Sequence, residues 1–179
     1  RTRVTTVRAP LIVITVADHD ADLDPARVAL VNARYADGIR RAGGLPIMIY
    51  NNPVDYKIDV TIDMFAELAS VSNIQAIKES TRDVTNVTRL RNSFGDRFSI
   101  LCGVDTLALE ELVLGADGWV AGLVCAFPAE TVTVFKLVKA GRIEEAINIY
   151  RWFMPLLELD INSIDQWLYM ILTNALRFS

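Results

Sequence analysis

The chain has 179 residues, 52% of them hydrophobic and 22% charged, with a net charge of −4 and a pI of about 5.0. This balance predicts a compact domain with a buried core and excludes a disordered chain. The 18 Lys and Arg residues are scattered without a basic stripe, so nucleic acid is not expected as a partner.

Five short apolar runs alternate with amphipathic helical stretches. Strands are predicted at 11–16, 46–50, 74–79, 98–102 and 119–125, and helices at 25–42, 61–69, 84–94, 106–114, 129–139, 143–159 and 164–176. This alternation predicts βα units, a parallel sheet and right-handed crossovers. Five units fit one domain over residues 1–179, whereas a closed eight-unit barrel needs about 250 residues.

Lys78 and Tyr50 are the residues whose positions point to chemistry. Lys78 lies at the carboxyl end of an apolar strand, where parallel α/β folds build their sites. Desolvation there favours a neutral amine that can attack a carbonyl, while Glu79 is expected on the opposite face. Tyr50 ends the preceding strand, where a phenol can relay protons. The structural alternatives are a lysine that reaches solvent and a tyrosine that packs in the core.

The cysteines, the histidine and the hydropathy add no further site. Cys102 and Cys125 lie in apolar runs, which favours small buried side chains in a reducing cytosol over a disulfide. His19 lies in an acidic loop, away from any multi-histidine pattern. Neither a membrane helix nor a signal peptide is recognised. We therefore expect a cytoplasmic protein with no metal, no cofactor and no membrane partner.

Four segments resemble a known family in their order and spacing: PIMIYNNP from residue 46, IQAIKES from 74, ILCGVD from 100 and GADGWVAGLVCAFP from 115. Residues 46–157 resemble strands five to eight of the dihydrodipicolinate synthase and N-acetylneuraminate lyase family, eight-unit barrels that use Schiff-base chemistry on pyruvate or related 2-keto acids. The resemblance implies that Lys78 is the Schiff-base lysine and Tyr50 the proton-relay tyrosine. It also implies that the backbone at Gly103 and Val120 lies near a bound 2-keto acid.

Two features of that family are not found in these 179 residues: the Gly-Thr-Thr type loop that binds the substrate carboxylate, and the second tyrosine of the proton relay. The pair Thr5-Thr6 lacks the expected glycine. A keto acid without a carboxylate clamp loses the positioning that lowers the barrier. Lys78 and Tyr50 are therefore predicted to be vestigial.

Residues 1–49 resemble a different family. The segments APLIVITV (9–16) and NARYADGIRRAGGLPIMI (32–49) are similar to the opening βαβ unit of the γ-glutamyl-γ-aminobutyrate hydrolases, which have a flavodoxin-like sheet. The Gly-flanked cysteine nucleophile of those hydrolases is missing. The segment INSIDQW (161–167) is similar to their Asn-Ser-x-His-His-Gln segment without its histidines, or equally to an aldolase tail. Hydrolase chemistry is therefore not predicted.

The two resemblances meet in the shared segment 44–49, where a join would preserve hydrophobic register. This favours an engineered chimera over a natural gene. The main functional hypothesis is accordingly a chimeric or designed scaffold without native catalysis. The alternative is a residual Schiff-base lyase or aldolase that acts on pyruvate or a related 2-keto acid.

The order of the strands decides whether the two candidate residues can cooperate. In a partial TIM barrel, with order 1-2-3-4-5, Tyr50 and Lys78 would lie on strands ~4.8 Å apart. In a flavodoxin-like order, 2-1-3-4-5, the first strand would separate them by ~9.6 Å, beyond the reach of a direct relay. We favour the flavodoxin-like three-layer sandwich, because a half barrel would expose an apolar inner face and dimerise. The chain is thus expected to be a monomer or a homodimer.

Overall fold

A computed structural model describes residues 12–15 and 46–162 of the chain. The five strands there are β1 (Ile12–Thr15), β2 (Ile47–Asn51), β3 (Ile74–Glu79), β4 (Ser99–Cys102) and β5 (Gly118–Trp119). The helices are α1 (Pro53–Tyr56), α2 (Ile62–Leu68), α3 (Thr85–Phe94), α4 (Ala108–Val113), α5 (Pro128–Lys139) and α6 (Ile143–Asn162). The predicted helices 25–42 and 164–176, the pair Thr5-Thr6, His19 and most of the segment 161–167 lie outside the described residues.

All strand pairs are parallel, and the sheet order is β1-β2-β3-β4-β5. The parallel α/β architecture is thus confirmed, but the favoured flavodoxin-like order is wrong, because β1 pairs with the outer edge of β2 and does not separate β2 from β3. The observed order is that of the partial-barrel alternative. The carboxyl ends of β2 and β3 therefore lie side by side.

The register assigns residues to the two faces of the sheet. One row across β2, β3, β4 and β5 contains Tyr50, Lys78, Leu101 and Gly118. The next row lies on the opposite face, because side chains alternate along a strand. This row contains Asn51, Glu79 and Cys102, all fully buried, and ends at Trp119. This second face, called here the helix-side face, carries Ile49, Ile77 and Ile100 into the hydrophobic core.

Helices α2, α3, α5 and α6 supply the other half of that core. Phe65 of α2, Leu90 of α3, Val134 of α5 and Phe153 of α6 are each at most 1% exposed. At about 25 cal/mol per Å² of apolar surface, burial of each such side chain stabilises the fold by ~1.5–3 kcal/mol. No helix in the described part of the chain combines the length and apolar composition that a bilayer crossing requires.

The fifth strand departs from prediction. Residues 119–125 were predicted as one strand, but β5 contains only Gly118 and Trp119, and Leu123–Cys125 form a turn of 3₁₀ helix. The cause is the buried Asp105, whose carboxylate accepts hydrogen bonds from the backbone N–H groups of Gly122 and Leu123 at 2.9–3.1 Å. These bonds hold the segment in a turn, although its apolar composition is typical of a strand.

Candidate active site

Lys78 and Tyr50 are direct partners in the register between β2 and β3. The Lys78 Nζ atom lies 3.9 Å from the centroid of the Tyr50 ring, over its face. Both side chains are half-buried at the carboxyl ends of their strands. The two residues are therefore in contact on adjacent strands, whereas the flavodoxin-like order would place β1 between them.

The Tyr50 phenol is held by Asn52, a residue that the sequence analysis did not single out. The side-chain nitrogen of Asn52 donates to Tyr50 Oη at 2.9 Å. Asn52 is itself fixed, because it is the N-cap of α1: its Oδ1 atom accepts from the backbone N–H of Asp55, and its Nδ2 atom donates to the Asp55 carboxylate at 2.7 Å. The Tyr56 ring also packs edge-on against Tyr50, with centroids 5.6 Å apart.

Gly103 lies directly against the lysine. An ideal Cβ atom built on Gly103 would be 2.8 Å from Lys78 Cε, 2.8 Å from the Glu79 carbonyl oxygen and 2.0 Å from Ser80 Oγ. The N–H of Gly103 donates to that same Glu79 carbonyl at 2.7 Å. Only glycine therefore fits at position 103, and its backbone forms one wall of the space around Lys78.

Val120 lies further along the sheet. It follows β5, two strands away from β3, and its N–H donates to the Cys102 carbonyl at 2.8 Å. The structure therefore brings Tyr50, Lys78 and Gly103 together, whereas the described contacts do not join Val120 to Lys78.

Glu79 lies on the helix-side face, as the alternation along β3 predicts. Its carboxylate is fully buried and accepts from the Thr81 N–H and from the Asn86 side chain, each at 2.7 Å. Burial raises the pKa of Glu79 above its ordinary value, and the Thr81 and Asn86 hydrogen bonds partly offset that effect. These bonds fix the β3 end that carries Lys78.

A second buried acid, Glu111 of α4, lies on the same face. It is 0% exposed, and neither carboxylate oxygen has a hydrogen-bond partner among the described residues. Burial raises the pKa of Glu111 to about 8; the neighbouring Cys102 thiol opposes this shift, and the negative charge of Glu79 adds a smaller contribution to it. Burial also raises the pKa of the Cys102 thiol, and Cys102 is free and buried, as expected. Glu111 therefore favours its neutral form at pH 7.

Asn52, Asp105 and Glu111 are the important polar residues that sequence reasoning missed. Asn52 had a usable signal, because an Asn-Pro pair after a strand is typical of a helix N-cap. Glu111 had none, since its position in α4 is compatible with an exposed helical glutamate. Among the described residues, no group of three or more His, Cys, Asp or Glu side chains is arranged to hold a metal ion.

The sequence model of the Dihydrodipicolinate synthetase family matches residues 32–174. The chain belongs to this family. A 4-hydroxy-tetrahydrodipicolinate synthase of Shewanella piezotolerans is 35% identical over 111 residues, which are 62% of this chain and 38% of the relative. The chain thus spans about two fifths of the length of the curated relatives that it matches.

Solved structures of the family share the fold. Dihydrodipicolinate synthase from Aquifex aeolicus superposes with a TM-score of 0.73 at 25% identity, over 84% of this chain and 50% of that one. A chloride-inhibited dihydrodipicolinate synthase from Acinetobacter baumannii, complexed with pyruvate, gives a TM-score of 0.70 at 24% identity, over 87% and 52% of the two chains.

These matches correct two interpretations of the sequence. The prediction of a chimeric or designed scaffold without native catalysis is wrong, because the family match covers most of the chain and the relatives are named as synthases. The resemblance of residues 1–49 to a hydrolase gains no support, since the family match begins at residue 32, within that segment. The resemblance of residues 46–157 to the family is confirmed.

Proposed function

We propose that this chain carries the Schiff-base centre of a lyase or aldolase that acts on pyruvate or a related 2-keto acid. The observation that carries the proposal is the lysine amine held 3.9 Å over the ring of a tyrosine at the carboxyl ends of two adjacent parallel strands. Membership of a family whose relatives are named 4-hydroxy-tetrahydrodipicolinate synthase supports it, as does the pyruvate complex of the Acinetobacter enzyme.

In this proposal the Lys78 amine, once it has lost its proton, attacks the C2 carbonyl carbon of the keto acid. The resulting carbinolamine loses its oxygen as water and becomes an imine, which draws electrons from the neighbouring carbon and allows its proton to leave. Tyr50 moves protons between the lysine nitrogen and the departing oxygen. Gly103, which lacks a side chain, lets its backbone lie close beside Lys78 and the bound keto acid, and the Val120 backbone contributes to the same binding region.

Deuterium exchange into the methyl group of pyruvate tests the proposal. The exchange requires imine formation and loss of a methyl proton, and NMR in D₂O follows it directly. We expect exchange above background with the unmodified chain, none with Lys78→Ala, and an unchanged rate with Lys57→Ala, in which an exposed lysine outside the site is removed. Equal exchange by the unmodified chain and Lys78→Ala would refute the proposal.

A further inference from the structure

Asn52 is the one described side chain that bonds to the reactive end of Tyr50. The direction of this bond is fixed by chemistry, because Nδ2 carries only donors and Tyr50 Oη must therefore accept. Among the described residues no acceptor takes the phenolic hydrogen of Tyr50. The described contacts therefore leave that hydrogen free to face a molecule bound at Lys78.

We propose that Asn52 is a positioning residue that sets the orientation of the Tyr50 phenol for proton relay at Lys78; this inference rests on the function proposed above. An accepted hydrogen bond occupies one lone pair of Oη and turns the O–H away from Asn52. The same bond stabilises the oxyanion that the phenol becomes whenever it gives up its proton. The phenol can then donate a proton to the carbinolamine oxygen and regain one from the lysine nitrogen.

The Asn52 side chain is held rigidly. The side chain is 5% exposed and is held by three hydrogen bonds: two with Asp55 and one with Tyr50. Because the N-cap bond fixes Oδ1, the amide cannot exchange its oxygen and nitrogen without losing the cap. The donor that faces Tyr50 is therefore set by the start of α1.

Two variants distinguish the role of Asn52 as a donor to Tyr50 from its role as the N-cap of α1. In the double variant Asn52→Asp/Asp55→Asn, the carboxylate at position 52 still accepts the N-cap bond of α1. It also accepts a hydrogen bond from the side-chain amide at position 55, so the two side chains remain bonded to each other with donor and acceptor exchanged. Only the donor to Tyr50 is lost, and the carboxylate at 52 can instead draw the phenolic hydrogen away from the site. Asp55→Asn alone is the matched control, because Asn52 keeps its donor and its cap.

The experiment measures how fast Lys78 becomes labelled by pyruvate and borohydride, as a function of pyruvate concentration, by peptide mass spectrometry. We expect the limiting rate in the double variant to fall about tenfold below that of Asp55→Asn. The pyruvate concentration at half-saturation and the final yield on Lys78 should not change. A purely structural role for Asn52 would move those two quantities together with the rate.

Three outcomes overturn the inference. The first is a limiting rate within twofold of Asp55→Asn, and the second is a slower rate accompanied by a lower final yield on Lys78, which shows loss of the site itself. The third is an unmodified chain without any adduct on Lys78, which refutes the proposed function as well. An intact adduct with an unaltered rate refutes the role of Asn52 alone, so the two failures are distinguishable.

Discussion

The Lys78 Nζ atom lies over the face of the Tyr50 ring, 3.9 Å from the ring centroid. Whenever Lys78 carries its proton, a contact of this kind is worth ~0.5–2 kcal/mol, so the ring helps to hold the side chain in place until the amine loses that proton and attacks. In the proposed function, the hydroxyl group of the same residue relays protons. Tyr50 therefore contributes two separable interactions, one through its ring and one through its oxygen.

Replacing Tyr50 separates these interactions. Tyr50→Phe keeps the ring beneath Lys78 and removes only the hydroxyl, so the rate of Lys78 labelling by pyruvate and borohydride should fall ~100-fold. Tyr50→Leu removes the ring as well, so the Lys78 side chain should also be less well fixed in one position. Stopped reactions analysed by mass spectrometry give both rates. If Tyr50→Phe labels Lys78 as fast as the unmodified chain, the phenol is not a proton relay.

Gly103→Ala should damage the site through a steric clash. The new Cβ atom would lie 2.0 Å from Ser80 Oγ and 2.8 Å from both the Glu79 carbonyl and Lys78 Cε. We expect ~1–3 kcal/mol of destabilisation from such overpacking, and a displaced lysine. Urea unfolding measures the loss of stability. Borohydride trapping with pyruvate shows whether the displaced Lys78 still reacts.

Ser80→Ala is the matched control for this clash, because it removes the closest atom. The double variant Gly103→Ala/Ser80→Ala should recover part of the lost stability but not all of it, since the Glu79 carbonyl is backbone and cannot yield. An unaltered unfolding free energy in Gly103→Ala alone would show that this wall of the site is not tight.

Glu111→Gln should change how stability depends on pH. Burial raises the pKa of Glu111 from 4.5 to about 8 in the folded chain. As the pH rises from about 4.5 to 8, the unfolded chain releases this proton while the folded chain retains it, so Glu111 lowers the stability progressively across that window. The glutamine variant lacks this titration and should show a flatter stability curve.

Urea unfolding at several pH values between 5 and 8 checks this prediction. The unmodified chain should lose on the order of a few kcal/mol more than Glu111→Gln over the window. The slope, and not the absolute stability, is the quantity to compare, because a buried amide without a partner carries its own cost. Glu79, whose pKa is also raised, leaves a residual slope of the same sign. If the unfolding free energies of the unmodified chain and Glu111→Gln depend on pH in the same way, Glu111 is solvated or paired in solution.

Asp105→Asn should loosen the turn that follows β5. The carboxylate accepts from the backbone of Gly122 and Leu123 and from the Trp119 indole at 2.9–3.1 Å. An amide keeps one acceptor oxygen and turns a donor towards these donors, so ~1.5–3 kcal/mol of stability should be lost. Denaturant unfolding followed by tryptophan fluorescence measures the change, and a loss below 0.5 kcal/mol, roughly the scale of a surface substitution, would contradict it.

Prediction from sequence succeeded where a single local pattern decides the outcome. The apolar strands, their parallel pairing and the strand-end positions of Tyr50 and Lys78 follow from hydrophobic runs and from βα alternation. Strand order could not be predicted from these patterns, because a connection of the same sequence can place β2 on either side of β1. The length of β5 did not follow either, since a distant carboxylate, Asp105, decides where that strand ends.

The site shows the same division. The strand-end position of Lys78 was predictable from the sequence, whereas the bond of Asn52 to Tyr50 depends on the rotamers of both residues. Glu111 matters only because α4 turns it towards Cys102 and Glu79. Contacts of this kind depend on tertiary packing, which periodicity does not encode.

Lys78 is the residue proposed to form an imine with a 2-keto acid. The chain has four lysines, at positions 57, 78, 136 and 139, so peptide mapping after treatment with pyruvate and borohydride can distinguish them. Reduction of the imine leaves a carboxyethyl group on the nitrogen that attacked. We predict that this group is found on Lys78 and that Lys78→Ala eliminates it. Labelling spread over Lys57, Lys136 and Lys139, with Lys78 unmodified, would contradict the claim.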